Sequence, residues 1–246
     1  MNNITYYILS LLAVLIILTV HEYSHGYAAY KLGDNTAKNL GRLSLNPIKH
    51  LDPMGAICMV FFHFGWAKPV PINARNFKKP KRDIALVALA GPLSNLVMAF
   101  IFCAAYLWLN VIYVKAQLPS GFLRMVFYNS VLFVYIFHLI NIGLGIFNLI
   151  PVPPLDGSRI LCALLPTKIY FGIMKYERHI YLGLIAWLFL GTYVSQGLLS
   201  IPFISTNPIL SFIAELFSLS GMLGKLIAFI SRQMMNFWQL FPIFNL

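Results

Sequence analysis

The sequence predicts an α-helical polytopic membrane protein, and its composition leads to that fold class. Apolar residues make up 59% of the 246 residues and charged residues only 10%, and the mean hydropathy is +0.76. A soluble domain has about 25% charged residues, so this chain has too few charges to cover a surface in water. The composition excludes a soluble enzyme, a disordered chain and a disulfide scaffold. Within a bilayer, helices are favoured because they satisfy their own backbone polar groups.

Long uncharged runs mark the predicted spans, because about 20 apolar residues of helix cross the hydrocarbon core. The last stretch, residues 209–230, is apolar but carries Glu215 and Lys225, so it fits either a fifth span or a helix in the membrane interface. The fourth run can span once and then bend at Pro202 and Pro208. We therefore expect four to six transmembrane helices. The four runs cover residues 4–21 (with an apolar pattern continuing to about 30), 84–114, 126–150 and 180–214.

The basic residues predict the orientation of the chain. The 18 Lys and Arg residues exceed the 7 Asp and Glu residues and give a net charge of +11. Ten of them lie between the first and second runs, two between the second and third, and four between the third and fourth. Since Lys and Arg concentrate in cytoplasmic loops, the first and third loops are expected in the cytoplasm and the N-terminus outside. The same rule accounts for the charge without a nucleic-acid partner.

One apolar segment within the first loop is too short to cross the membrane as a helix. Residues 53–66, PMGAICMVFFHFGW, number fourteen, whereas a span needs about 20. The segment fits a re-entrant or interfacial stretch. Its β-branched and aromatic residues, punctuated by Gly55 and Gly65, also suit a short β-hairpin dipped into the membrane.

The first run ends in a motif typical of zinc sites, His21-Glu22-Tyr23-Ser24-His25. Residues four apart share one face of a helix, so both imidazoles can reach one ion with Glu22 beside it. Neutral imidazoles suit Zn²⁺, and a neighbouring carboxylate can accept a proton from water that the metal activates. A carboxylate that follows such a long uncharged run is costly unless a cation or a wet cavity receives it. A solvated helix end is therefore the less favoured interpretation.

Zinc needs a third protein ligand, and Asp156 is the strongest candidate. It is the only acidic residue between Asp83 and Glu177, and it follows the third run on the side predicted for His21 and His25. Prolines at 151, 153 and 154 rule out a helix before it, so that segment is predicted to be extended. An ordinary loop turn would be the better interpretation of Asp156 alone. Beside the H-E-x-x-H motif, the sequence predicts a ligand to one Zn²⁺.

Four motifs occur in order along about residues 1–200, and together they resemble the site-2 protease family of zinc intramembrane metalloproteases. The resemblance is to the compact bacterial branch, which lacks PDZ and CBS domains. The motifs are His21-Glu22-x-x-His25, Gly65-Trp66-Ala67-Lys68-Pro69-Val70-Pro71, Ala90-Gly91-Pro92-Leu93-Ser94-Asn95, and Asn148-x-x-Pro151-x-Pro153-Pro154-Leu155-Asp156-Gly157.

The resemblance implies a zinc-dependent endopeptidase that hydrolyses peptide bonds in or near transmembrane segments of other membrane proteins. It implies zinc ligands at His21, His25 and Asp156, the catalytic base at Glu22, and substrate binding or oxyanion stabilisation by Asn148. It also implies the bacterial plasma membrane, and the distribution of basic residues predicts that the active site lies toward the cytoplasm. Residues 1–200 would be the protease core and residues 201–246 an apolar extension. A regulatory membrane partner or an oligomer stays open.

Three further polar side chains have simpler interpretations. Asn95 is expected to join helices by hydrogen bonding rather than to contact substrate. His138 is expected to be a hydrogen-bonded contact between helices and not a metal ligand. For Asn148, donation to a developing oxyanion near the metal and capping of the third run are alternatives of equal weight.

Two other functions compete with proteolysis: a zinc-binding membrane transporter and a catalytically inactive scaffold. Transporters often show internal repeats and ionisable residues along the transport path. No repeat of residues 21–25 is visible in the sequence, and the later runs carry almost no charge. An inactive scaffold would not require both the base and all three ligands, so the sequence favours the protease.

Overall fold

The computed structural model describes residues 3–62 and 65–244. In that part of the chain the secondary structure is almost entirely helical, with one isolated antiparallel bridge between Leu51 and Ala67. The helical membrane architecture is therefore confirmed. The α-helices are α1 (Asn3–Lys31), α2 (Thr36–Asn39), α3 (Pro53–Phe62), α4 (Pro80–Ala116), α5 (Phe122–Leu149), α6 (Asp156–Leu164), α7 (Thr167–Met174), α8 (Glu177–Leu199), α9 (Pro202–Thr206), α10 (Pro208–Leu216) and α11 (Leu219–Trp238).

Three of these helices, α1, α4 and α5, are long and apolar enough to cross a membrane. Two further segments are bent: α8, and α10 together with α11. The number of spans rises to five if each of these bent segments counts as one span. Residues 209–230 do not form the single straight helix that their composition allowed, because α10 and α11 meet at an angle of 102°. Ser218 lies at this break and accepts a hydrogen bond from the amide of Gly221, which caps α11.

The three long helices form the centre of the molecule. Their core includes Ala13 and Ile17 of α1 with Ile136 and Phe137 of α5, all buried. Phe102 of α4 closes the cluster, with its ring centroid 4.2 Å from that of Phe137. Because bilayer lipids are as apolar as these side chains, close packing rather than exclusion of water holds such helices together.

The apolar segment of the first loop is helical over Pro53–Phe62 and not a hairpin. Pro53 stands at the start of the helix, where a missing amide hydrogen does no harm, and the Asp52 carboxylate caps it by accepting from the amide of Gly55 at 2.9 Å. A helix satisfies backbone groups in lipid without a partner strand, which explains the difference. His63 and Phe64, also in the predicted segment, lie outside the described residues.

The proline-rich segment before Asp156 is compact rather than extended. The amide of Val152 donates to the carbonyl of Ile150 at 2.8 Å, and that of Leu155 to the carbonyl of Val152 at 2.9 Å. The prolines do exclude a helix here, as predicted. The chain must nevertheless turn back at the end of α5, and a Cβ at Gly157 would meet the carbonyl oxygens of Leu149 and Ile150. Only glycine permits so tight a reversal.

The final helix packs on the central bundle through polar contacts. His138 of α5 donates from Nδ1 to the carbonyl of Ala99 at 2.8 Å, and its Nε2 lies 2.9 Å from the Ser231 hydroxyl of α11. Trp238 adds a hydrogen bond from its indole nitrogen to the carbonyl of Phe100 at 3.0 Å. The prediction that His138 is a contact between helices is confirmed.

Candidate metal centre

The two histidines of the H-E-x-x-H motif lie one turn apart near the end of α1, and both are buried. Their Nε2 atoms are 3.0 Å apart. Asp156, the first residue of α6, places its Oδ2 atom 3.2 Å from each of them. The structure thus brings together three side chains that are separated by up to 135 residues in the sequence.

This donor set fits a zinc ion. Three ligand atoms, one from each side chain, lie within 4.8 Å of one another. In a tetrahedral site with bonds of about 2.0–2.2 Å, ligand atoms lie roughly 3.3 Å apart, close to the spacing between the two Nε2 atoms and Oδ2. Two imidazoles and one carboxylate also leave a fourth position for water, as catalytic zinc sites require.

A backbone carbonyl of α4 orients one of the histidines. The Nδ1 atom of His25 lies 2.7 Å from the carbonyl oxygen of Val87. Since a carbonyl can only accept, Nδ1 carries the proton and the lone pair of Nε2 is directed toward Asp156. Such outer contacts fix the tautomer of metal-binding histidines. Nothing in the sequence marks Val87, because its contribution comes from the backbone.

Gly91 allows α4 to approach α1 at this point. A Cβ at Gly91 would fall against Nε2 and Cε1 of His25 and Cε1 of His21. Any residue larger than glycine at position 91 would therefore clash with the two imidazoles. The glycine belongs to the Ala90–Asn95 motif, but its role becomes apparent only from the packing of the two helices.

The carboxylate of Glu22 is held by the loop between α3 and α4. Its Oε2 atom accepts a hydrogen bond from the amide of Val70 at 2.8 Å. Val70 stands between Pro69 and Pro71, so it is the one residue of the three that has an amide hydrogen to give. Arg42 steadies the same loop by donating to the carbonyl of Lys68 at 2.8 Å.

A cavity of about 290 Å³ opens beside these residues. Its walls combine apolar side chains with the polar groups of the site. Asn148 and Arg159 also line it. The residues around it are His21, Glu22, His25, Pro69, Val70, Ile72, Ala74, Ile84, Val87, Ala88, Asn148, Pro154, Leu155, Asp156 and Arg159.

The two asparagines singled out by the sequence differ in their surroundings. Asn148 lines the cavity, while its Nδ2 donates to the carbonyl of Leu144 within α5 at 3.1 Å. Asn95 is fully buried on α4, and its amide has no hydrogen-bond partner among the described residues. The expected interhelical hydrogen bond of Asn95 is therefore not present in that part of the chain.

Comparison with known proteins decides the family. The model of peptidase family M50 matches residues 9–190. The chain belongs to peptidase family M50. The M50 chain is 41% identical over 212 residues to YwhC of Bacillus subtilis (strain 168), which is named as a candidate zinc metalloprotease; the match covers 81% of this chain and 92% of that protein.

More distant relatives share a smaller part of their length. MJ0392 of Methanocaldococcus jannaschii, named a zinc metalloprotease, is 27% identical over 177 residues, which cover 71% of the M50 chain and 39% of that protein. Rip2 of Mycolicibacterium smegmatis, named as a candidate zinc metalloprotease, is 27% identical over 155 residues, 61% of the M50 chain and 55% of that protein. No solved structure matches the chain significantly.

Membership of this family makes the chain a zinc-dependent intramembrane metalloendopeptidase that acts on membrane proteins. Zn²⁺ is its cofactor, in accord with the three converging ligand atoms. The apolar helices make it a multi-pass membrane protein in contact with lipid. Of the alternatives raised by the sequence, the family supports neither a transporter nor an inactive scaffold.

Proposed function

We propose that His21, His25 and Asp156 hold one Zn²⁺ and that Glu22 is the general base in hydrolysis of peptide bonds in or near transmembrane segments. The observation that carries this proposal is the convergence of the two Nε2 atoms and Oδ2 at 3.0–3.2 Å beside a cavity that also contains Glu22. When bound, zinc polarises the scissile carbonyl and lowers the pKa of a water molecule to about 7.

The protein's own groups move the proton. Glu22 presents Oε2 to the amide of Val70, which leaves Oε1 to accept a proton from the attacking water. The same carboxylic acid then delivers that proton to the nitrogen of the scissile bond as the C–N bond breaks. Holding one oxygen in place orients the other, so the base does not have to be positioned during the reaction.

Asn148 is proposed as a substrate contact. One hydrogen of its side-chain amide is donated to the carbonyl of Leu144. The second hydrogen and the amide oxygen remain available for other hydrogen bonds. A peptide that is unwound from its helix has backbone groups without partners, and in a membrane these must be satisfied. An amide in the wall of the cavity can pair with such groups in either sense, as donor or as acceptor.

We further propose that the active site faces the cytoplasm at the plasma membrane and that the protease core comprises residues 1–200. The ten basic residues between the first two runs support that orientation. Residues 201–246 would form an extension that packs on the core through α11. Control of the enzyme by a membrane partner or by a second copy of the chain remains a prediction.

The test replaces the base without touching the ligands. Glu22→Gln is expected to retain zinc but lose proteolysis by about 10²–10⁴-fold, because general-base catalysis contributes that much. His21→Ala should lose both zinc and proteolysis. Glu177→Gln, an equal change on α8 away from the cavity, is the matched control and should keep both.

Comparison of membrane proteomes from cells that carry the wild type or Glu22→Gln identifies the substrate, which is then cleaved in a reconstituted assay with and without a zinc chelator. A membrane protein that accumulates uncleaved only with Glu22→Gln supports the proposal. Cleavage by purified Glu22→Gln at the wild-type rate would contradict the assigned base.

A further inference from the structure

Arg159 lies on α6, three residues after Asp156, and lines the cavity of the metal centre. Residues three apart lie on neighbouring positions of a helix face, so the element that supplies the third ligand also supplies a guanidinium. Arg159 is the only lysine or arginine among the described residues around this cavity. The sequence offered no reason to separate it from the other loop cations.

Arg159 is an exposed residue, and the fold does not engage its guanidinium. Among residues 3–62 and 65–244, no side chain or carbonyl forms an ion pair or hydrogen bond with it. The acid nearest to it in sequence, Asp156, instead directs Oδ2 toward His21 and His25. Arg42 and Arg82, by contrast, make structural contacts: Arg42 donates to the carbonyl of Lys68 at 2.8 Å, and Arg82 pairs with Asp83 at 2.7 Å.

An unpaired cation that lines the same cavity as the carboxylates of Glu22 and Asp156 has a chemical use in amide hydrolysis. As water adds to the carbonyl carbon and its proton passes to Glu22, the electron pair of the C=O bond moves to the oxygen, which becomes an anion. When the C–N bond breaks, that pair re-forms the carbonyl and the proton goes to the leaving nitrogen. Donors placed where this charge develops stabilise the transition state more than the ground state.

We propose that Arg159 is a catalytic residue that hydrogen-bonds the carbonyl oxygen of the scissile peptide bond and stabilises its negative charge during hydrolysis. The inference rests on the proposed function, because it takes the cavity beside His21 and His25 as the place of reaction. Arg159 suits the role better than Asn148, since its five donors are planar, permanently charged and unshared, whereas one hydrogen of Asn148 is bonded to Leu144.

The kinetic test uses the full chain in detergent or liposomes with the substrate that accumulates in Glu22→Gln cells. Arg159→Ala should lower kcat by about 10²–10³-fold, the loss that follows removal of an oxyanion donor, while its zinc content stays at that of the wild type. Arg159→Lys should recover part of kcat. Arg178→Ala, an exposed arginine of α8 outside the cavity, is the matched control and should leave kcat unchanged.

A binding measurement separates charge stabilisation from a structural role. The probe is a phosphinic peptide with an Ala-Leu core, in which a tetrahedral phosphinate anion replaces the scissile amide, compared with the ordinary amide peptide. Both are titrated into zinc-loaded Glu22→Gln and Glu22→Gln/Arg159→Ala, neither of which should cleave the amide. Loss of Arg159 should weaken the phosphinate about 10²–10³-fold and the amide little, because only the anion resembles the transition state.

Chemical rescue completes the test. Methylguanidinium added to Arg159→Ala should raise the cleavage rate, whereas methylammonium at the same concentration should not. If Arg159→Ala keeps the wild-type kcat, or if it binds phosphinate and amide with equal losses, the assignment of Arg159 is overturned although the protease assignment stands. If the wild-type enzyme cleaves none of the membrane proteins that accumulate in Glu22→Gln cells, the proposed function is itself contradicted, and the assignment of Arg159 falls with it.

Discussion

The amide of Val70 shows how a proline-rich loop can orient the carboxylate that we propose as the catalytic base. In the run Pro69-Val70-Pro71 only the central residue has an amide hydrogen, and that hydrogen is donated to Oε2 of Glu22 at 2.8 Å. The flanking prolines restrict the backbone on both sides. The donor is therefore held in one direction, and so is the Glu22 carboxylate that accepts from it.

Replacing Val70 with proline removes this donor, and because the Val70 side chain is also buried beside the cavity, its loss is controlled separately. A hydrogen bond to a charged acceptor is worth about 1.5–3 kcal/mol, so Val70→Pro should lower kcat by about 10–100-fold while zinc binding is kept. Val70→Ala retains the amide and is the matched control. Cleavage rates and zinc content of the two purified variants check the prediction, and equal rates would show that the contact does not position Glu22.

At the level of residues, the sequence predicts the side chains of the site and not the backbone around them. His21, Glu22 and His25 are visible because side-chain chemistry and helical spacing coincide in one motif. Asp156 emerges because acids are so scarce in the apolar chain. The carbonyl of Val87 and the amide of Val70 leave no such trace, since every residue but proline has the same backbone groups.

At the level of elements, the approach of α4 to α1 determines whether the histidines can converge. Gly91 faces the two imidazoles, and a Cβ there would meet Nε2 of His25. The neighbouring helix cannot easily withdraw, because Ala88 and Ala99 of α4 are also buried in the bundle. A single methyl group at Gly91 must therefore displace an imidazole that we propose as a zinc ligand.

Gly91→Ala should weaken zinc binding, on the order of the 10–100-fold that follows disturbance of groups that orient metal ligands. Gly183→Ala is the matched control, because a Cβ at Gly183 of α8 meets no atom within 4 Å. Zinc affinity by competition with a chromogenic chelator measures the difference. An unchanged affinity in Gly91→Ala would mean that α4 can move away from α1.

The elements themselves were predictable where apolar runs were long, as in α1, α4 and α5. Short segments, such as residues 53–62 and the prolines before Asp156, were harder to predict. Residues 53–62 have the β-branched and aromatic composition of a strand, yet lipid favours the helix that closes its own hydrogen bonds. The three prolines before Asp156 exclude a helix, but they do not distinguish an extended chain from the compact turn that brings Asp156 back to His21.

At the scale of the whole molecule, contacts between distant parts of the chain hold the elements around the site in fixed relative positions. Ser231 of α11 meets His138 of α5 across 93 residues. On the loop side, Asp34 follows α1 and accepts hydrogen bonds from the amide of Asn73 and the side chain of Asn76, each at 2.7 Å. These hydrogen bonds tie the end of α1 to the loop that carries Val70. Such pairings are invisible in a single sequence, because nothing in Asp34 indicates its partners.

Asp34 should make the stability of the whole protein depend on acid pH. It is fully buried, which alone would raise the pKa of its carboxyl, but hydrogen bonds from Thr36, Asn73 and Asn76 outweigh burial and hold that pKa below the ordinary value of 3.8. A carboxyl with a depressed folded-state pKa stabilises the fold fully above the unfolded-state value, and the stabilisation is lost as pH falls through the folded-state value. Asp34→Asn should therefore lower the free energy of unfolding at pH 7 by about 2 kcal/mol.

The difference between wild type and Asp34→Asn should persist down to about pH 4 and shrink as the pH falls below it, because the unfolded wild-type chain then takes up a proton at Asp34 before the folded chain does. Thermal unfolding in detergent, followed by circular dichroism from pH 7 to pH 3, measures this. Glu177→Gln removes an acid from the first turn of α8 and serves as the control, with no comparable change expected. A difference between wild type and Asp34→Asn that stays constant to pH 3 would show that these hydrogen bonds do not depend on the charge of Asp34, and that the connection between α1 and the Val70 loop is held by shape alone.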